Sequence, residues 1–222
     1  TANTIADADG LGTITYTWKA DGTTVGTGAT YVMTEAEVGK VITVEASYTD
    51  GHGTNELVAS SGTTAVTNVN DAPTGSVTID NTTPAQGDTL TASHTLADAD
   101  GLGTITYTWK ANGSIVGTGS THVVTEGEVG QVITVEASYT DGHGTNEMVA
   151  SSATAAVINV NDSPTGAVTI DDTTPTQGQT LTAANTIAGA DGLRTITYTC
   201  KADGTTVGTG ATYVMTEAEV GK

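Results

Sequence analysis

Apolar and polar residues alternate along much of this chain. In the stretch 104–111, Ile105, Tyr107 and Trp109 fall on one face and Thr104, Thr106 and Thr108 on the other. In 131–139, Ile133, Val135, Ala137 and Tyr139 alternate with Thr134, Glu136 and Ser138. In 88–97, Leu90, Ala92, His94 and Leu96 share a face. Further strands are predicted at 75–79, 115–118, 122–124 and 148–160. Turn-forming clusters separate them: Asn-Thr-Thr-Pro, Asp-Ala-Asp-Gly, Ala-Asn-Gly and Thr-Asp-Gly-His-Gly. Residues 126–130 suit a single helical turn, and no longer stretch carries a helical stripe. About seven short strands at this spacing predict an antiparallel β-sandwich.

The pattern repeats. Residues 7–69 return almost unchanged at 98–160, so that Trp18 and Trp109 lie 91 residues apart. That period exceeds solenoid units, which run to about 50 residues. It suits a domain with its own core, close to the ~100 residues of an immunoglobulin-type sandwich. Pro73 and Pro164, each after an Asn-Asp linker, mark the boundaries. The chain divides into 1–69, the C-terminal part of one repeat; 70–160, a complete repeat; and 161–222, the N-terminal part of a third. The expectation is a fragment of a longer all-β array of tandem sandwiches, extended in shape.

Charge narrows the choice of partners. The chain has 25 acidic and 6 basic side chains, a net charge of −19. This argues against nucleic acid, which needs a basic footprint. It fits either a soluble, self-repelling chain or one neutralised by cations. The apolar runs are a few residues long, too short for a membrane-spanning helix. The one cysteine, Cys200, takes the position of Trp18 and Trp109, and reads as a drifted core position.

The segment "TWKADGTTV" resembles strand C of an immunoglobulin-like domain, with its core Trp before a polar turn. "TEAEVGKVITVEASYTDG" resembles bacterial versions, with an acidic-Gly corner before the penultimate strand. Together with "NDAPTG" and "LADADGLGTITYTW", the unit is similar to Ig-like or cadherin-like repeats of large bacterial surface adhesins of the RTX and VCBS type. The resemblance implies a secreted, extracellular or cell-surface protein serving adhesion. It implies neighbouring repeats as partners, with surface glycans or proteins engaged through other domains. The third repeat departs from the pattern at Cys200, at Gly189 (for Asp98) and at Arg194 (for Gly103).

On the seven-strand plan, the segment before strand A, the B–C loop and the F–G loop lie at one pole. The linker Asp71, the B–C residues Asp98 and Asp100, and the F–G residue Asp141 are therefore expected to converge, with Asn70 nearby. Their counterparts are Asp7, Asp9 and Asp50 in the first repeat and Asp162 and Asp191 in the third. Several carboxylates in a small volume repel one another unless a cation neutralises them. Oxygen donors with glycine-turned carbonyls suit Ca²⁺, and cadherin-like junctions imply the same ion. The plain alternative is that Asp-Gly is an ordinary turn dipeptide. Neither an EF-hand loop nor an RTX nonapeptide is present.

Other candidates read as structural. His52 and His143 lie between glycines in the F–G loop, and a lone turn histidine is commonly solvated rather than metal-bound. The pairs Glu35/Glu37 and Glu126/Glu128 suggest a structural corner more than acid–base chemistry, with no nucleophile or oxyanion donors beside them. Threonine rows such as Thr104, Thr106 and Thr108 read as a solvated strand face. The reading is a non-enzymatic stalk, stiffened by calcium between repeats. Its rival is a carbohydrate- or protein-binding module using exposed loops, although these loops lack the aromatic anchors that such surfaces favour.

Overall fold

The computed structural model describes residues 3–222. The first repeat carries β1 (Thr15–Ala20), β2 (Thr23–Thr27), β3 (Ile42–Thr49) and β4 (Asn55–Ala59). The second carries β5 (Val77–Ile79), β6 (Thr89–His94), β7 (Thr106–Ala111), β8 (Ser114–Thr118), β9 (Thr121–Val123), β10 (Ile133–Thr140) and β11 (Asn146–Ala150). The third carries β12 (Val168–Ile170), β13 (Thr180–Asn185), β14 (Thr199–Ala202), β15 (Thr205–Thr209) and β16 (Thr212–Val214). The described residues contain no α-helix, only three single 3₁₀ turns at Glu35–Glu37, Glu126–Glu128 and Glu217–Glu219.

In the second repeat the strands form two antiparallel sheets, ordered β5-β6-β9 and β11-β10-β7-β8. In immunoglobulin lettering these are A-B-E and G-F-C-C′. Their inner faces meet in one core of Val77, Ile79, Leu90, Ala92, Trp109, Val135, Ala137 and Tyr139, among others. Trp109, Leu90 and Val135 are fully buried, and the period-two alternation puts them there. The first repeat has the four-stranded sheet, β2-β1-β3-β4. The third has the three-stranded one, β12-β13-β16, beside the β14-β15 hairpin.

Local chemistry explains the joints. Asp21-Gly22, Asn112-Gly113 and Asp203-Gly204 have positive φ at both residues. That is the two-residue turn whose twist matches its flanking strands, and it closes β1-β2, β7-β8 and β14-β15. Each 3₁₀ turn is closed by a capping box. The Thr125 N–H donates to Glu128 Oε2 at 2.6 Å, and Thr34 does the same to Glu37 at 2.9 Å. Glu37, Glu128 and Glu219 are buried by this role.

Two local expectations change. The segment predicted as one strand at 148–160 is β11, an irregular stretch, and bridges at Ala156 and Ile158. Hydroxyls replace the ladder between them: the Val135 N–H donates to Ser151 Oγ and the Ile133 N–H to Thr154 Oγ1. The chain then crosses to the other sheet, where Ile158 bridges Ala85. His94 is exposed rather than facing inward with Leu90 and Ala92. It ends β6, where the chain turns and its Nδ1 accepts from the Leu96 N–H at 3.2 Å.

Candidate metal centres at the repeat junctions

Backbone hydrogen bonds draw the acidic motifs of the second repeat together. The linker Asp71 N–H donates to Asp100 Oδ2 at 2.6 Å. The Asp100 N–H donates to Asp98 Oδ1 at 2.9 Å, and the Gly142 N–H donates to the Asp100 carbonyl at 2.9 Å. Linker, B–C loop and F–G loop are thus tied at one place. The last contact requires glycine, since a Cβ on Gly142 would lie 2.5 Å from the Asp100 oxygen. Gly103 sits equally close beneath, its Cβ position 2.0 Å from the Thr140 carbonyl.

The carboxylates divide by role. Asp98 is a brace: its Oδ2 accepts from the Tyr139 hydroxyl at 2.5 Å. Burial first, then this bond, pushes the Tyr139 phenol well above its ordinary range. In the first repeat Asp7 does the same for Tyr48 at 2.8 Å. That bond, with burial, pushes Tyr48 up to about 12. Asp141 organises the F–G loop. Its Oδ1 accepts from the N–H groups of His143 at 2.9 Å and Thr145 at 2.8 Å. Burial raises its pKa, but the N–H of Thr145, the N–H of His143 and the Thr145 hydroxyl together outweigh it and hold Asp141 below the usual carboxylate range. Asp50 repeats this turn with His52 and Thr54.

Asp100 and Asp141 are only 4% and 7% exposed, and each keeps one oxygen, Oδ1 and Oδ2 respectively, without a hydrogen-bond partner. A buried carboxylate oxygen left unpaired is costly. A cation ligand removes that cost. Asn68 Oδ1, in the first linker, is likewise buried and unpartnered. Asn70, the linker asparagine singled out by sequence, instead donates to Glu147 at 2.8 Å.

Ligand atoms converge at two places among the described residues. Glu35, Asp100 and His143 offer atoms that all lie within 4.8 Å of one another, and so do Glu126, Asp162 and Asp191. Each group spans a junction. Glu35 belongs to the first repeat and Asp100 to the second; Glu126 belongs to the second, and Asp162 and Asp191 to the third. Glu35 and Glu126 are period mates, as are Asp100 and Asp191. Asp162 also accepts from the Gln86 side chain at 2.8 Å, and its N–H donates to Asp191 Oδ2 at 2.7 Å, repeating the Asp71–Asp100 bond.

The clusters bring together Asp100, Asp162 and Asp191, which the sequence singled out, with Glu35 and Glu126, which it did not offer as ligands. The capping box splits each glutamate pair: Glu37 and Glu128 close the turn, while Glu35 and Glu126 are left to face the next repeat. His143 is also more than a solvated turn residue, since its Nε2 lies 2.9 Å from Glu35 Oε1. Asp71, Asp98 and Asp141 stand beside the first cluster without sharing its ligand atoms. Asp7, Asp9 and Asp50 form no such group among the described residues. Asp9 lies 3.5 Å from His52.

The donors suit divalent cations in two different ways. The second cluster is all carboxylate, as hard ions prefer; the first includes an imidazole nitrogen. Scans against protein-family models and curated proteins found no match to the chain.

Proposed function

We propose that this chain is a run of structural stalk repeats from a secreted bacterial adhesin, with a divalent cation, calcium, tying each repeat to its neighbour. The recurrence of the carboxylate clusters supports this most directly. A glutamate from one repeat and an aspartate from the next meet at both boundaries, in register at the 91-residue period. A patch that merely aids solubility has no need to draw its members from both sides of a boundary. The orphaned oxygens of Asp100, Asp141 and Glu126 add to the case. So does the charge of −19, which leaves most acids without a basic partner. Among the described residues no helix is long and apolar enough to cross a membrane. Placement outside the cell belongs to the proposal, as does the role of other domains in engaging a target surface.

Calcium bound only by the folded array raises stability as RT ln(1 + [L]/Kd), about 2.7 kcal/mol at a hundredfold excess over Kd. It also removes repulsion across a short linker. Calcium titrated into the full chain is expected to raise the melting temperature and lengthen the maximum dimension in small-angle scattering. Replacing both Glu35 and Glu126 by Gln should blunt both effects without disturbing the capping boxes. If millimolar calcium moves neither quantity, the acids only solubilise the chain.

A further inference from the structure

The first junction cluster joins an imidazole nitrogen, from His143, to two carboxylates, from Glu35 and Asp100. We infer that the first junction is a transition-metal site, in which His143, Glu35 and Asp100 bind a first-row divalent ion of the zinc type in preference to calcium. This departs from the proposed function at the first junction only, where it changes the ion, and keeps calcium at the second.

Zinc bonds to imidazole nitrogen and carboxylate oxygen at about 2.0–2.2 Å in a tetrahedral shell, which sets two ligand atoms roughly 3.3–3.6 Å apart. His143 Nε2 and Glu35 Oε1, 2.9 Å apart, need to part by about half an ångström to admit such an ion. Glu35 is half-buried and His143 exposed, their side chains 31% and 35% accessible. The third member, Asp100, is 4% exposed, with Oδ2 engaged by the Asp71 N–H and Oδ1 lacking a partner. Asp141 Oδ2, a second buried oxygen without a partner, lies two residues from His143 in the same loop. The loop also holds the histidine in place: Asp141 Oδ1 takes the N–H groups of His143 and Thr145, fixing the backbone from which the ring projects.

Ligand type decides the ion. Calcium and magnesium take oxygen, whereas imidazole suits zinc, copper, nickel and iron. The same bound ion would join repeats, since Glu35 and His143 come from different ones. The competing account is a plain hydrogen bond between Glu35 and His143, which needs no metal at all.

Cobalt(II) serves as the probe, because its visible absorption changes when nitrogen replaces water in its coordination shell. The full chain titrated with cobalt should develop a visible band, which zinc abolishes and a large excess of calcium does not. His143→Gln and Glu35→Gln, one on each side of the junction, should each weaken zinc binding by at least about tenfold. Far-ultraviolet circular dichroism should show the fold unchanged in both. His52→Gln should leave the band as it is. A calcium-dependent rise in melting temperature should survive His143→Gln through the second junction. Absence of the band, or a band that persists in both His143→Gln and Glu35→Gln, overturns the assignment. If calcium still stabilises the chain when cobalt gives no band, the transition-ion site fails and the calcium reading stands. If neither ion has any effect, both fail.

Discussion

Trp109→Ala tests whether the second repeat is organised around one side chain. Trp109 is fully buried between the sheets. Its ring stacks on His122 at 5.7 Å and 26°, and its Nε1–H donates to the Gly119 carbonyl at 2.9 Å. Burying an aromatic of this size removes roughly 150–250 Å² from water. At about 25 cal/mol per Å² that amounts to ~4–6 kcal/mol. The alanine methyl keeps a small part of it, and the cavity relaxes only partly. The expected cost is about 3–5 kcal/mol, the range for large aromatic truncations. Global melting is a poor assay for three linked repeats, because the transition need not be two-state. Hydrogen exchange of the β10 amides, Ile133–Thr140, reads the repeat directly. Protection there should fall by about two to nearly four orders of magnitude, at 1.4 kcal/mol per tenfold. Trp18→Ala should cost the first repeat less, because Trp18 is only partly buried although it makes the matching bond to Gly28 at 2.9 Å. A fall of under tenfold in β10, or equal losses for the two tryptophans, would refute the reasoning.

Three further outcomes are expected. His122→Ala should cost the second repeat about 1–3 kcal/mol by hydrogen exchange, because it strands the buried Glu128 carboxylate that lies 2.7 Å from His122. His122→Tyr should be nearly neutral, since Tyr31 and Tyr213 lie against Glu37 and Glu219 at the same position. Cys200→Trp should stabilise the third repeat by about 1–2 kcal/mol, by covering apolar side chains in the open cleft lined by Val168, Leu181, Cys200 and Tyr213; unchanged protection in β14 and β15 would count against it. Thermal stability should fall on acidification. Asp80, held by the Thr91 N–H, and Asp172, held by the Thr174 N–H, are below the usual carboxylate range. The unfolded chain therefore binds these protons first: the stabilisation is whole above an ordinary pKa of about 4 and drains as pH drops through the lower folded values. Asp80→Asn should flatten that slope, and a flat profile in the wild-type chain would refute it.

The fold was legible where alternation was strict. Ile133, Val135, Ala137 and Tyr139 read as one face and are one face. Asp-Gly and Asn-Gly announced hairpin turns because both residues must take positive φ. It was illegible where a side chain replaced a backbone partner. Nothing in the run 148–160 signals that the hydroxyls of Ser151 and Thr154 take over from the ladder. Arg194 stands where the second repeat has Gly103, whose Cβ position lies 2.0 Å from the Thr140 carbonyl.

The candidate site divides along the same line. Aspartates flanked by glycine were recognisable because turns and oxygen ligands use the same residues. The glutamates were not, because Glu35 and Glu37 are indistinguishable by type and differ only in what a three-residue turn does with them. The capping box consumes the second of each pair. Its geometry then leaves the first facing outward, beside the pole of the following repeat. The signal was present as a period: Glu35 and Glu126 recur at the same step as Asp100 and Asp191. Glu35 and Glu126 are partly exposed and lie outside the core, and each meets an aspartate of the following repeat. His143 follows the same logic from the other side. Its loop is shaped by Asp141, which binds backbone N–H groups through one oxygen and leaves the other free. The turn that builds the fold therefore also aims the ring at Glu35. Fold and site are written in the same few residues here, so a substitution at Asp141 should disturb both. A substitution at Glu35 should disturb the junction alone.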